Sequence, residues 1–180
     1  MRFERDGTKT TYIDRLGKKR FHDVWNGNPY ILPEGGFEVR NAKLCRPYQT
    51  SFDDQKVYFN QDYRAVPGDI FFTQKERKFG GMHAGRVVIE PNAISRFTVN
   101  KQWGQWRKLV EIAGFRLTQI SGDKIPGVEY IHCSDFRFAA SVIANARAAV
   151  LPEGGLAHAA AAVGTPSVVI FGGFTPIEVL

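Results

Sequence analysis

The second half of the chain alternates short apolar segments with segments of helical periodicity, and this alternation limits the fold more than any other feature. The apolar segments are rich in β-branched residues and are bounded by turn residues, which is typical of strands buried on both faces. The predicted strands cover residues 86–90, 115–121, 128–132, 148–151 and 167–171. The predicted helices cover residues 103–113, 134–145 and 156–163, the second with Ser134 as its N-cap. This pattern predicts an α/β fold, a Rossmann-like parallel sheet with helices on both faces.

The first eighty residues differ, because turn residues separate short strand-like segments and no long helical periodicity appears. Strand-like segments lie at residues 10–13, 57–60 and 70–73. We therefore predict two domains. Residues 1–80 form an irregular, partly β N-terminal region, and residues 81–180 form the Rossmann-like domain.

Charge does not select a partner by itself. The 24 Lys and Arg residues outnumber the 18 Asp and Glu residues, which gives a formal net charge of +6. The densest basic cluster is Lys18-Lys19-Arg20. Because the excess charge is spread along the chain, a basic surface that tolerates anionic partners explains it better than nucleic-acid binding does.

Cysteine and apolar content predict the compartment. Two cysteines, Cys45 and Cys133, are too few for a disulfide scaffold, so a reducing compartment and inert thiols are the default expectations. No apolar run reaches the roughly 18–20 residues of a membrane span, and the first residues lack the apolar segment of a signal peptide. We expect a cytoplasmic protein, with peripheral placement at the inner face of the membrane left open. The four histidines are scattered, so we expect no metal site.

Residues 150–176 carry the most chemistry. Glu153 follows a predicted strand, and ligands of parallel sheets bind at the carboxyl ends of the strands. Gly154 and Gly155 let the backbone approach a ligand and expose N–H groups at a helix start, an arrangement suited to a diphosphate. His158 lies in the first helical turn, where the helix dipole disfavours the imidazolium form. A neutral imidazole there could donate to a phosphate or a sugar hydroxyl.

Simpler interpretations of the same residues stay open. The Gly-Gly pair can be only a tight turn, and His158 can be a capping or surface residue. The pentapeptide LPEGG also occurs twice, at residues 32–36 and 151–155, and no Ala-rich helix follows the first copy. The pentapeptide alone is therefore a weak signal, and the longer context of the second copy is what points to an anion site.

In that longer context, residues 150–176 resemble the signature of the glycosyltransferase family that includes the ADP-heptose:lipopolysaccharide heptosyltransferases. The family pattern is an acidic residue, a small residue, Gly, Leu, any residue and His, then an Ala-rich helix, Gly-Thr-Pro, a hydrophobic strand, Phe-Gly and Thr-Pro. The matching positions here are Glu153, Gly154, Gly155, Leu156, His158, Gly164-Thr165-Pro166, Phe171-Gly172 and Thr175-Pro176. Residues 100–103 (NKQW) are similar to the family's Lys-x-Trp motif. The resemblance covers about residues 86–180.

The resemblance implies an inverting glycosyltransferase of the two-domain GT-B fold, with this part of the chain as the donor-binding domain. The donor-binding residues that it implies are Lys101, Glu153, Gly154, Gly155, Leu156, His158 and Thr175. Lys101 would neutralise the charge that develops on the leaving nucleoside diphosphate. We add Asp123 from the predicted topology, because it follows the second strand, where an acidic residue could hold ribose hydroxyls.

Two departures from the family pattern matter. Glu153 stands where the family usually has Asp, and the longer side chain suggests a different donor sugar. The family's N-terminal domain begins with a strand and a glycine-containing loop that carries the catalytic base, and this chain has no such start. Asp6, Asp14 and Asp23 are available carboxylates, but nothing in their context marks a base, so the catalytic base is unassigned.

We therefore predict part of a glycosyltransferase that binds a nucleotide-diphosphate sugar and transfers the sugar to a glycan, a lipid-linked glycan or another acceptor, without a metal or other cofactor. A GT-B enzyme needs two domains of roughly 100–200 residues each, so 180 residues lead us to expect a fragment, truncated at its C-terminus. The alternative is a non-catalytic Rossmann-like module. It would bind an anionic partner, a polysaccharide or a nucleic acid, through the basic N-terminal segment.

Overall fold

The structure, a computed structural model, describes residues 68–91 and 101–172 with their side chains and, before them, the backbone of five short strands. The chain divides into two compact units, Met1–Ala65 and Val66–Glu178. No helix in the described part of the chain is long and apolar enough to cross a membrane.

The described part of the first unit is antiparallel β structure. Its strands are β1 (Arg2–Arg5), β2 (Thr10–Ile13), β3 (Lys19–Arg20), β4 (Gln49–Asp53) and β5 (Lys56–Phe59). The first three form one sheet in the order β1-β2-β3, and β4 pairs with β5 in a separate two-stranded sheet. The strand predicted at residues 10–13 is confirmed, and the one predicted at 57–60 is confirmed one residue earlier.

The second unit is built on a five-stranded sheet in which every pair of neighbours is parallel. Its strands are β6 (Val87–Ile89), β7 (Leu117–Gln119), β8 (Glu129–Tyr130), β9 (Ala148–Pro152) and β10 (Ser167–Ile170), and its helices are α1 (Gln74–Gly81), α2 (Trp106–Ile112), α3 (Phe136–Ala144) and α4 (Gly155–Ala162). The spatial order is β10-β9-β6-β7-β8. The first strand of this sheet in chain order, β6, is therefore central. The chain adds β7 and β8 on one side of it and then β9 and β10 on the other, so the strand order reverses beside β6. The α/β prediction is confirmed.

Helices cover both faces of this sheet, because successive residues of a strand point to opposite faces. Val88 belongs to a buried cluster that includes residues of α3 and α4. Its neighbour Ile89 packs on the other face with Trp106 of α2. Both side chains are fully buried, and each such burial contributes about 1.5–3 kcal/mol. Trp106 is buried, and Trp103 meets it edge to face with the ring centroids 5.1 Å apart.

The strand predicted at residues 70–73 is wrong, and helix α1, which follows these residues, was not predicted. Residues 70–73 form no strand, and Thr73 instead caps α1. The Thr73 hydroxyl accepts from the Glu76 amide at 3.3 Å, and the Glu76 carboxylate accepts from the Thr73 amide at 2.7 Å. This capping box begins a helix whose exposed face is so polar that no apolar periodicity marks it.

The predicted N-cap of α3 is off by one residue. Asp135, not Ser134, caps the helix, because its Oδ1 accepts from the amides of Arg137 and Phe138 at 2.9 and 3.0 Å. The Ser134 hydroxyl donates to Asp135 Oδ2 at 3.0 Å. A carboxylate stabilises a helix start through both the hydrogen bonds and the dipole, and it outcompetes the neighbouring hydroxyl.

Helices α1 and α3 meet at a close contact held by a buried ion pair. Gly80 lies so near α3 that a Cβ there would sit 2.2 Å from the Ser141 carbonyl oxygen. Arg137 donates from Nε to Glu76 Oε1 at 2.6 Å and from Nη2 to Glu76 Oε2 at 2.9 Å. It also donates to the Phe71 carbonyl oxygen at 2.6 Å. This bidentate pair fixes α1 on the α3 face of the sheet.

Candidate functional site

A cleft of about 460 Å³ lies at the carboxyl edge of the parallel sheet. Its floor is the ends of β6, β7 and β9, and its walls are the first turns of α3 and α4. This is the point beside β6 where the strand order reverses, the place at which open α/β sheets bind ligands.

Five of the residues predicted for the donor site line this cleft: Lys101, Glu153, Gly154, Gly155 and Leu156. Lys101 and Glu153 come from segments 52 residues apart, and the Lys101 ammonium donates to Glu153 Oε1 at 2.9 Å. The two side chains are only 15% and 12% exposed. A lysine and a glutamate that the sequence places on different loops therefore form an ion pair in the fold.

The start of α4 forms the adjoining wall. Gly154 occupies the N-cap position, and no described side chain caps the helix there. The first amides of a helix have no partner within it, so this end presents donors and the positive end of the dipole to the cleft. Gly155 packs against Phe136, whose ring lies 3.3 Å from where a Cβ would be. Leu156 is buried in the core and anchors the turn.

The structure does not bring two of the other predicted residues, Asp123 and His158, to this cleft. Asp123 is exposed and is not among the lining residues. Its backbone carbonyl accepts a hydrogen bond from the side-chain Nε2 of the buried Gln119 at 2.8 Å. This bond fixes the loop and does not aim the Asp123 carboxylate at a ligand. His158 is exposed in the first turn of α4 and does not line the cleft either. Thr175 lies outside the described residues.

Several other predictions fall outside what the structure describes. Asp6, Asp14 and Asp23, the unassigned carboxylates of the N-terminal region, lie outside the described residues, as does Lys18. Residues Lys19–Arg20 form β3, of which only the backbone is described. Anion binding by this basic cluster therefore stays a prediction. Within residues 68–91 and 101–172, no three His, Cys, Asp or Glu side chains group closely enough to hold a metal ion.

Sequence reasoning missed three titratable residues that line the cleft, Glu90, Cys133 and Asp135. Glu90 follows the central strand β6 and lines the cleft together with Ser121, which follows β7. The Ser121 hydroxyl donates to Glu90 Oε1 at 3.0 Å. Burial raises the pKa of Glu90 to about 7, and the hydrogen bond from Ser121 only partly opposes this. The available signal was an acidic residue at the end of a predicted strand, directly before Pro91.

Cys133 also lines the cleft, from the segment after β8. Burial raises the pKa of its thiol to about 11, and the negative charges of Asp135 and Glu90 add to the effect. The thiol is therefore protonated at neutral pH and is a weak nucleophile.

The comparisons with known proteins give a partial match. No protein-family model matches the chain, and no curated protein does. The chain is similar to solved structures of the family that its motif resembles. E. coli heptosyltransferase WaaC with ADP is 22% identical, with 53% of this chain covering 36% of that one at a TM-score of 0.44.

Two further structures give similar values. E. coli WaaC with ADP-2-deoxy-2-fluoro heptose is 25% identical, with 52% of this chain covering 34% of that one at a TM-score of 0.43. E. coli ADP-heptose lps heptosyltransferase II is 17% identical, with 56% covering 38% at a TM-score of 0.41. The chain thus spans little more than a third of the length of these structures.

Proposed function

We propose that the cleft binds the diphosphate of a nucleotide sugar, and that the chain is the donor-binding part of a glycosyltransferase. The observation that carries this proposal is the Lys101–Glu153 pair, 2.9 Å from nitrogen to oxygen, beside the start of α4, which no described side chain caps. A fixed ammonium next to free backbone amides is an arrangement that favours an anion with several oxygens.

The same groups suit departure of a nucleoside diphosphate. When the bond between the anomeric carbon of the donor sugar and the diphosphate oxygen breaks, negative charge grows on the diphosphate. Preorganised hydrogen-bond donors in a poorly solvated site stabilise that charge. Lys101 would supply the positive charge and the α4 amides the directed hydrogen bonds. Glu153, joined to Lys101, would hold the ammonium in place and accept from a sugar hydroxyl.

The cleft has the dimensions of a ligand site. Its volume of about 460 Å³ lies within the range of roughly 300–1,000 Å³ for small-molecule and cofactor sites. The motif over residues 150–176, which resembles the heptosyltransferase signature, begins with β9 and supplies Glu153 and the start of α4. Fold position and motif thus favour one location for the donor.

The remaining parts of the reaction extend this proposal. The acceptor would be a glycan, a lipid-linked glycan or another hydroxyl compound, and lipopolysaccharide, which the motif resemblance suggests, is the first acceptor to test. The base that activates its hydroxyl would lie outside the described cleft. The proposed setting is cytoplasmic, and the proposed chemistry needs no metal.

Calorimetric titration of ADP, UDP and GDP tests the proposal. We expect at least one of them to bind at or below millimolar concentration, and Lys101→Ala to weaken that binding about tenfold or more, because a charge-assisted contact to phosphate is lost. Lys108→Ala is the matched control, since Lys108 is an exposed lysine of α2 outside the cleft. Absence of binding by all three nucleotides, or equal weakening by both substitutions, would contradict the proposal.

A further inference from the structure

Glu90 occupies the centre of the cleft floor. It follows β6, the middle strand, and its backbone amide donates to the Val150 carbonyl of β9 at 3.2 Å, so its position is set by the sheet. Ser121 at the end of β7 orients its carboxyl group from the other side. The neighbouring strands on both sides thus hold this carboxyl group at the cleft.

The charges that line the cleft are unevenly compensated. Glu153 is paired with Lys101. Asp135 accepts from two amides of α3 and from the Ser134 hydroxyl. Among the described residues, Ser121 is the only hydrogen-bond partner of the Glu90 carboxyl group. The remaining titratable neighbour is the Cys133 thiol, which is neutral at physiological pH. Glu90 is therefore the acidic group of the cleft with the least compensation.

An anion cannot enter this cleft at low cost while Glu90 is ionised. The Lys101–Glu153 pair carries no net charge and therefore does not compensate the charge of Glu90. An ionised Glu90 would repel a diphosphate across a poorly solvated space. Like charges at close range disfavour the ionised form of the weaker acid. Burial, partly opposed by the hydrogen bond from Ser121, already brings the pKa of Glu90 to about 7, so protonation costs little near neutral pH.

Building on the proposed function, we propose that Glu90 takes up a proton when a diphosphate enters the cleft and then donates a hydrogen bond from its carboxyl group to the ligand. The group that repels the ligand when ionised becomes a donor when neutral. Glu90 is in this sense a ligand-recognition residue that couples occupancy of the cleft to pH.

Calorimetry in two buffers of different ionisation enthalpy measures this proton uptake directly. The probes are inorganic pyrophosphate, which carries no nucleoside or sugar, and ADP. Both ligands titrate near neutral pH themselves, so the quantity compared is the difference between the wild type and Glu90→Gln. At pH 7.5 we expect the wild type to take up between about half a proton and one proton more than Glu90→Gln.

The affinities should change in parallel. Relative to Glu90→Gln, wild-type affinity should fall about tenfold between pH 6 and pH 8, as the protonated fraction of Glu90 falls. Glu111→Gln is the matched control, because Glu111 is exposed on α2 outside the cleft. This variant should behave like the wild type in both measurements. Far-ultraviolet circular dichroism of each variant reports whether it is folded.

The outcomes separate this inference from the proposed function. If ADP, UDP or GDP binds and Glu90→Gln takes up as many protons as the wild type on binding, the inference is wrong and the proposed function stands. If neither probe binds, nor UDP nor GDP, both fail. Proton uptake that disappears in Glu90→Gln and persists in Glu111→Gln supports the inference. Should Glu90→Gln not fold, Ser121→Ala provides the second test: unchanged proton uptake in that folded variant would also contradict the inference.

Discussion

Glu76 and Glu90 are both withdrawn from water in the same unit, and their pKa values shift in opposite directions. The hydrogen bonds from Arg137 hold the pKa of Glu76 below its usual range despite burial. Burial raises the pKa of Glu90 to about 7, with only a serine hydroxyl to oppose it. The difference is the partner. A bidentate guanidinium makes one carboxylate a structural clamp between α1 and α3, and a single hydroxyl leaves the other able to respond to a ligand.

The largest expected effect comes from removing the clamp. Arg137→Met should lower the free energy of unfolding at pH 7 by about 3–5 kcal/mol, because Glu76 would stay buried without its counterion. Denaturant unfolding followed by circular dichroism measures this loss. Arg107→Met, an exposed arginine of α2, should cost far less.

The pH dependence of that variant tests the comparison itself. In the wild type, the lowered pKa of Glu76 contributes stability that is present above its unfolded pKa and is lost as pH falls through the folded pKa. In Arg137→Met, the pKa of Glu76 should be raised by burial, as that of Glu90 is. The loss of unfolding free energy relative to the wild type should therefore shrink as pH falls and Glu76 is protonated. Adding Glu76→Gln should restore part of the stability. A loss below 1 kcal/mol at pH 7 (about one third of the expected minimum) would contradict the clamp.

A smaller effect should follow from neutralising Glu90. Its folded pKa of about 7 lies above the unfolded value, so the folded state binds more protons between the two. Wild-type stability therefore falls as pH rises through this window, and the loss is complete above pH 7. Glu90→Gln has no carboxyl group to ionise at this position, so its stability does not fall in this window. It should be more stable than the wild type at pH 8, by up to about 3 kcal/mol. The two proteins should be similarly stable near pH 4. Urea unfolding across this range checks the prediction, and equal stabilities at pH 8 would refute it.

The smallest effect concerns the serine hydroxyl. Ser121→Ala removes the hydrogen bond that favours ionised Glu90, so the titration midpoint of Glu90 should rise further, by about one pH unit or less. Carbon-13 NMR of the labelled Glu90 carboxyl group measures the midpoint. A midpoint that falls or stays unchanged would show that Ser121 does not compensate the charge.

Periodicity and β-branched composition were sufficient to predict the five parallel strands and helices α2 to α4, since these elements bury regular apolar faces. The same reasoning failed for α1. Only its capping box and Gly80 mark it, and its contact with α3 depends on Arg137, 61 residues away from Glu76. A short helix with a polar exterior leaves little periodic signal.

The residues of the candidate site also divide into those that a local sequence pattern predicts and those that it does not. Glu153, Gly154 and Gly155 could be predicted because a strand end followed by glycines and a helix is a local pattern. Lys101 was suggested by motif resemblance alone. Asp123 was assigned from topology, yet it is exposed and is not among the residues lining the cleft. Position after a strand predicts the edge of the sheet, whereas loop conformation decides which side chains face the cleft.

The sequence by itself determined the elements of the second unit, the edge at which a ligand would bind and the glycines that open the start of α4. Only the tertiary structure decided that Lys101 joins Glu153 and that Glu90 and Ser121 share the cleft floor. It also decided that the pKa values of Glu76, which is buried, and Glu90, which is partly buried, shift in opposite directions. The physical reason is that element formation depends on near neighbours in the chain. Charge compensation, in contrast, depends on which groups the fold brings within hydrogen-bonding distance, and on how much water it leaves beside them.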